Sequence, residues 1–372
     1  MKTNNIVNII KLHLAKYPDM EIGDMVKLIY QSEFGGGHLI EIPLLSYEQI
    51  LAEMESLPDL RGNICEDISE RISRIYLSPL RPAFAENQLS AKIINALFTE
   101  SAGFIKGSTE SYFEKLDILL NMIEQKELSS SGLHEESRSW TGNYSFSRKY
   151  VESHKSAGCP MLRHSESYRE KYKPAYRIVL NEFVPYIDLF RKIEAMAMER
   201  KRLIIAIDGK CGSGKSTLAK IISRVYGCPV IRVDDFFLPA GLRIEERLNA
   251  PGGNVHYERF TEEVIKPLSQ GKSRFSHKVF DCHVMDYTPK PKEIDFSNIL
   301  VIEGSYSMRP EFRGVYDISV FLEASPDIQK SRIISRSGEP VYKMFEQKWI
   351  PMENRYFEHF NISENCDIVY KV

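Results

Sequence analysis

Residues 203–218 read Leu203-Ile204-Ile205-Ala206-Ile207-Asp208-Gly209-Lys210-Cys211-Gly212-Ser213-Gly214-Lys215-Ser216-Thr217-Leu218. Leu203 to Ile207 is a short apolar run, as a strand buried on both faces requires. From Gly209 the sequence fits GxxxxGK[ST], and Leu218, Ile221, Ile222 and Val225 follow at helical spacing. Strand, glycine turn and helix in that order are the context that confirms a phosphate loop. Glycines let backbone N–H groups approach phosphate oxygens with no Cβ in the way. The helix N-terminus adds partial positive charge. Lys215 is expected to reach the β- and γ-phosphates of a nucleotide, and the Ser216 hydroxyl to ligate Mg²⁺. The expected nucleotide-binding set is Gly209, Cys211, Gly212, Ser213, Gly214, Lys215, Ser216 and Thr217.

Outward from this loop the pattern continues as alternating strands and helices. Pro229 to Val233, Ile299 to Ile302 and Ile318 to Leu322 are further strand candidates. Such alternation predicts a three-layer α/β fold, a parallel sheet with helices on both faces. Two acidic segments close strands: Val233-Asp234-Asp235-Phe236-Phe237-Leu238-Pro239 and Val301-Ile302-Glu303-Gly304-Ser305-Tyr306. Ligands gather at the carboxyl ends of strands in open α/β sheets. Carboxylates there suit phosphoryl transfer: one orients or accepts a hydroxyl proton, another holds Mg²⁺ directly or through water. The competing readings are a turn or helix cap at Asp234-Asp235, Asp235 as the active member, and a plain strand-ending turn at Glu303-Gly304.

The stretch from about 203 to 372 resembles the uridine kinase and phosphoribulokinase family of P-loop small-molecule kinases. The phosphate loop, the DDFF segment and the EGSYS segment stand in that family's order. The resemblance implies a P-loop NTPase fold, ATP and Mg²⁺ as cofactors, and a small-molecule hydroxyl as acceptor, a nucleoside such as uridine or cytidine. It implies Asp234 as catalytic base and Glu303 as the second carboxylate supporting Mg²⁺, with both near metal and acceptor. The family's lid arginines correspond to Gln329–Gly338, and so to Arg332 and Arg336. These lie four apart on a predicted helix, where a solvated basic face is the plain alternative. Acceptor contacts are expected after the Pro251-Gly252-Gly253 turn, from Asn254, His256 and Tyr257. Arg243 and Arg247 would suit an anionic acceptor, and Asp281 and His283 form a second candidate stretch. The carboxyl-terminal stripe Phe345, Trp349, Met352, Tyr356 and Phe360 reads as core packing.

The first 200 residues read as a mainly α-helical domain. Ile6, Ile9, Ile10 and Leu14 recur at helical spacing, as do Ile22, Met25, Val26 and Ile29, with Asp19 as the cap of the second helix. Phe113, Leu116, Leu120 and Ile123 mark a helix ending near Leu128, before the loop Ser129-Ser130-Ser131-Gly132. A helix is expected from about Pro174 to Arg200, bent at Pro185. Two segments stand out. Gln31-Ser32-Glu33-Phe34-Gly35-Gly36-Gly37-His38 carries three glycines after a helix, and Ser156–Arg177 mixes His164, Glu166, Tyr168, Arg169, Tyr172 and Tyr176. Either could face a ligand; a helix-ending turn and an amphipathic helix start are the ordinary readings. His38, Glu33, His154, His164 and Glu166 show no recognised metal-ligand spacing. The role expected of this half is substrate selection or regulation.

Composition bounds these readings. The 372 residues exceed one ordinary domain of roughly 150, and the boundary is placed near 200, in Glu199-Arg200-Lys201-Arg202. Apolar residues are 43% and charged residues 27%, which excludes a disordered or low-complexity chain. The 49 Lys plus Arg against 51 Asp plus Glu give a net charge of −2, without the basic surplus expected of a nucleic-acid binder. No run of about 18 apolar residues indicates a membrane span, and the amino terminus lacks signal-peptide features. Six scattered cysteines with no CxxC pair point to reduced thiols and a cytoplasmic home. Self-association to a homo-oligomer is left open. So are three rivals: a kinase for a vitamin precursor or sugar acid, an ATP-dependent regulatory switch, and a bifunctional chain.

Overall fold

A computed structural model describes residues 2–37, 40, 42–58, 62–85, 90–128 and 143–372. The chain divides into two compact units, Met1–Arg191 and Lys192–Val372.

The first unit begins with α1 (Lys2–Lys16), α2 (Ile22–Phe34) and α3 (Pro43–Ser56), then strands β1 (Cys65–Asp67) and β2 (Ile72–Tyr76). Helices α4 (Arg81–Ala85), α5 (Ala91–Phe104), α6 (Thr109–Glu124), α7 (Tyr144–Ser156) and α8 (Glu166–Tyr172) follow, and strand β3 (Tyr176–Leu180) comes next. The apolar stripes of α1, α2 and α6 meet in one core with Phe98, Val151 and Tyr168. Three sequence expectations change here. Glu21, not Asp19, precedes α2, and Asp24 reaches back to its amide (3.0 Å). Asp19 accepts instead from Tyr172 Oη (2.5 Å) and pairs with Lys171 (2.6 Å). The helix α6 ends at Glu124, short of Leu128, and the serine loop lies outside the described residues. Most importantly, Tyr176–Leu180 is not helical. It pairs antiparallel with β2, which pairs with β1, in a three-stranded sheet. Its Ile and Val favour a pleated surface once a partner strand is present. The helix then begins beyond Pro185, as α9 (Tyr186–Glu199), and the division between units falls inside it. Of the glycine segment, Gly35 ends α2 at φ +65°, and a Cβ on Gly36 would meet Phe98 at 2.8 Å. It is a packed helix-ending turn; His38 lies outside the described residues.

The second unit opens with β4 (Leu203–Gly209), α10 (Lys215–Tyr226) and β5 (Val230–Arg232). Short helices α11 (Glu245–Asn249), α12 (Tyr257–Phe260) and α13 (Lys266–Ser269) lead to β6 (Arg274–His277), β7 (Phe280–Asp281), β8 (Asp286–Tyr287) and β9 (Lys292–Asp295). Then come β10 (Ile299–Glu303), β11 (Ile318–Glu323), α14 (Pro326–Ser337), α15 (Glu339–Met344), α16 (Ile350–Phe360) and β12 (Ile368–Lys371). The main sheet is all parallel, in the order β12-β11-β4-β10-β5. Every residue of central β4 is buried. Ile204 and Ala206 pack on one side with Tyr257, Phe260, Val264 and Tyr356. Ile205 and Ile207 alternate to the other face, where α10 lies against β4 and β10. Each such Ile side chain removed from water contributes about 1.5–3 kcal/mol. The sheet is therefore covered on both faces, a P-loop α/β fold preceded by a mainly helical unit. Edge strand β12 had no sequence expectation. No helix among the described residues is long and apolar enough to cross a membrane.

Candidate active site

Strands β4, β10 and β5 are neighbours, and in the parallel register Glu303 lies opposite both Ile207 and Arg232. Their carboxyl ends therefore present three things side by side: the glycine loop, Glu303, and the Asp234-Asp235 pair. The loop turns sharply at Gly209, where φ is +143° and a Cβ would stand 2.2 Å from the Leu322 carbonyl oxygen, so only glycine fits. The amides of Gly212, Gly214, Lys215, Ser216 and Thr217 meet no acceptor among the described residues. They form a cluster of free donors at the start of α10, the arrangement that suits phosphate oxygens. Lys215 Nζ donates to the loop carbonyls of Gly209 (2.7 Å) and Lys210 (2.9 Å), which holds the ammonium over the loop. Ser216 Oγ lies 3.2 and 3.3 Å from the two Glu303 oxygens.

The two aspartates of the pair differ sharply. Asp235 is buried, with His277 Nε2 at 3.1 Å from its carboxylate and Lys292 at 4.0 Å. Asp234 is exposed, and its carboxylate has no hydrogen-bond partner among the described residues. Desolvation raises its pKa, Lys215 opposes that, and Asp235 and Glu353 add repulsion. Glu303 is buried, and desolvation raises it too, with Lys215 again opposing and Asp234 reinforcing. Lys215, Asp234 and Glu303 thus lie close enough to feel one another's charge. Hard oxygen donors from Ser216 and Glu303, with Asp234 nearby, fit Mg²⁺, which keeps several waters and takes few protein ligands.

Three groups behind the loop carried no sequence expectation. Asp208 is fully buried and accepts from the amides of Gly209 (2.7 Å), Tyr306 (3.1 Å) and Met308 (3.0 Å) and from Tyr356 Oη (2.9 Å). Burial still pushes its carboxyl up to about 6. Glu353, on α16, accepts from the Cys211 amide (2.9 Å), and its other oxygen accepts from Ser305 Oγ (2.7 Å). Ser305 Oγ also lies 3.0 Å from the Gly209 carbonyl. The carboxyl-terminal helix therefore holds the phosphate loop as well as packing the core. The available signal was a glutamate inside the stripe of Trp349, Met352 and Tyr356, where an apolar residue would be ordinary.

The remaining sequence candidates fall in different places. Arg332 is half-buried and donates to the loop carbonyl of Gly212 (3.1 Å). Arg336, one turn on in α14, is exposed and donates to Ser337 (3.3 Å); no hydrogen bond joins it to the loop. Tyr257, expected on an acceptor loop, is buried in the core, with Arg309 over its ring at 4.2 Å and Phe312 beside it. It has no free face for stacking. His256 is half-buried and pairs through Nδ1 with Tyr287 Oη (2.8 Å). Asp281 accepts from the His283 amide (2.8 Å). Between them, Cys282 lies close enough to Asp234 and Arg243 to feel their charge. Arg243 itself faces Trp349 at 5.8 Å.

Fold and site together define a P-loop nucleotide-binding unit of the kinase kind. Comparison with known proteins narrows this. Uridine kinase of Schizosaccharomyces pombe is 26% identical over 165 residues, 40% of this chain and 35% of that protein. Uridine kinase of Ligilactobacillus salivarius is 24% identical over 177 residues, 43% of this chain and 81% of that protein. A bifunctional α-galactosidase/sucrose kinase of Mediterraneibacter gnavus is 26% identical over 207 residues, 49% of this chain and 21% of that protein. The chain thus spans about a third of the fission yeast relative and carries a uridine kinase-like P-loop kinase region over less than half of its own length. No family model matches it.

Proposed function

We propose that the carboxyl-terminal unit transfers the γ-phosphoryl group of ATP to a hydroxyl of a small molecule, with a nucleoside such as uridine or cytidine the first acceptor to test. One observation carries the reading: Asp234 offers a solvent-facing carboxylate, unclaimed by the protein, beside the Lys215–Ser216–Glu303 group. In this scheme the free loop amides and Lys215 grip the triphosphate. Ser216 and Glu303 hold Mg²⁺, which when bound neutralises charge on the phosphate oxygens. Asp234 orients the acceptor hydroxyl and takes its proton as the phosphoryl group moves. In the same scheme Arg332, which donates to the Gly212 carbonyl, meets charge on the transferring group, with Arg336 joining only if α14 moves. Phosphoryl transfer depends mainly on placement and electrostatics, so few protein acids and bases suffice. His256 and the Asp281–His283 stretch are the acceptor-side groups of this scheme, and Tyr257 supports them from the core. The free cysteines fit a reducing cytoplasm.

The test is an acceptor screen on the full chain with ADP release and product mass as readouts. Nucleosides, sugars and vitamin precursors form its panels. Asp234→Asn is expected to keep ATP binding and lose about 10²–10⁴ in turnover, as removal of a general base does. Lys215→Ala is expected to lose both. Near-normal turnover in Asp234→Asn would overturn the assignment. ATP hydrolysis without any phosphorylated product across the panels would favour a nucleotide-driven switch instead.

A further inference from the structure

The first unit holds a polar network that the kinase reading leaves unused. Asp24, Lys27 and Gln31 are spaced three and four apart on α2, so they share one face. Asp24 pins the segment before α8: His164 Nδ1 lies 2.7 Å away, and the Ser165 amide (3.0 Å) and hydroxyl (2.6 Å) donate to it. His164 Nε2 lies 2.7 Å from Tyr176 Oη, which lies 3.1 Å from the Gln31 side-chain oxygen. Gln31 also accepts from Arg74 Nη2 (2.8 Å). Lys27 stands between the two anchored ends of this chain of contacts.

Two features do not suit a purely structural network. Arg74 is 0% exposed, stacked on Tyr176 at 4.5 Å, yet its Nε and Nη1 make no hydrogen bond. The Glu66 carboxylate, 3.7 Å from Nη1, is already taken by Lys16 and Tyr76. In addition, Lys27 is half-buried with no acceptor among the described residues, and exposed Arg163 and Arg169 flank the pinned segment, likewise unpaired. Burial first, then repulsion from Arg74, pulls the Lys27 ammonium down to about 8; Asp24 resists, while Arg163 and Arg169 add to the effect. Lys27 thus feels three other cations, Arg74, Arg163 and Arg169, while the two carboxylates of the network, Asp24 and Glu66, already have their oxygens engaged. Left empty, such a cluster costs stability; an anion with several oxygens removes the cost.

We propose that this cluster binds a phosphate-class anion, with Lys27, Arg163 and Arg169 taking its oxygens and buried Arg74 supplying positive charge from beneath. Both inorganic phosphate and the phosphomonoester of a small metabolite present that chemistry. The site is independent of the phosphate loop and gives the first unit a ligand of its own.

The test uses the full chain carrying Lys215→Ala, so that the loop contributes little. Calorimetric titration with inorganic phosphate forms one arm and ribose 5-phosphate the other. One site is expected, weakened at least about tenfold by Lys27→Met, as loss of a charge-assisted hydrogen bond implies. The surface pair Arg163→Gln with Arg169→Gln, which leaves the core untouched, is expected to weaken it several-fold. Tighter binding of ribose 5-phosphate identifies an organic ligand, and equal binding identifies the free anion. No binding of either probe up to about 10 mM, a level that excludes even weak specific association, overturns the proposal. So does an affinity unchanged in both the Lys27 variant and the arginine pair.

Discussion

Replacing Glu353 by alanine tests whether the last helix holds the phosphate loop in place. The carboxylate is buried and takes two short hydrogen bonds, from the Cys211 amide and the Ser305 hydroxyl. A hydrogen bond to a charged group contributes about 1.5–3 kcal/mol, and truncation also orphans the buried amide. The expected loss is therefore about 3 kcal/mol or more, which for a unit of this size lowers its melting temperature by about 6–12 °C. Glu353→Gln is different. Its carbonyl can still accept from Cys211, and its amide can donate to Ser305 Oγ while that hydroxyl turns to Gly209. A drop below about 3 °C is expected. The chain has two tryptophans, and Trp349 lies one turn from Glu353. In a Trp140→Phe background its fluorescence follows the second unit alone. Binding of a fluorescent ATP analogue is the second readout, expected about tenfold weaker in Glu353→Ala because the loop is no longer pre-arranged. An alanine variant that melts within about 2 °C of the parent and binds the analogue equally well refutes the reasoning.

Asp235→Asn should leave turnover within a few-fold of the parent, because Asp235 is engaged with His277; a loss as deep as that of Asp234→Asn would exchange their roles. Gly209→Ala should prevent the second unit from folding, since its Cβ would lie 2.2 Å from the Leu322 oxygen; a soluble variant that binds nucleotide normally would contradict that geometry. The two units should also respond oppositely to mild acid. In the first, burial holds His13 and His164 down at about 4, while the unfolded chain takes protons near 6.5. Stability therefore falls as pH drops from 6.5 toward 4, by about 3 kcal/mol per histidine at most. In the second, Asp208 is raised to about 6, so the folded form takes its proton first and gains stability from pH 6 down to about 3.8. Calorimetry between pH 7 and 5 should show the first unit's transition moving down and the second's holding or rising; parallel shifts would refute the assignment.

Much of the second unit was legible because its information is local. The apolar run before Gly209, the glycine spacing and Lys215-Ser216 are neighbours in sequence, and local sterics translate them directly into strand, loop and helix. The order of loop, Asp234 and Glu303 likewise follows from strand–helix alternation, since parallel strands must carry their ends to the same edge of the sheet. The first unit was less legible. Tyr176–Leu180 has a pattern that serves helix or strand, and pairing with Ile72–Tyr76, a hundred residues away, decided it.

What the sequence determined alone was a phosphate-gripping turn in an α/β unit and a helical partner. What only the tertiary structure decided was which aspartate stays free, that Tyr257 is core, and that Glu353 and Asp208 brace the loop. The physical reason is one of range. Backbone conformation answers to neighbours along the chain, whereas the state of a buried polar side chain depends on partners brought together by packing, as with Glu353 and Cys211.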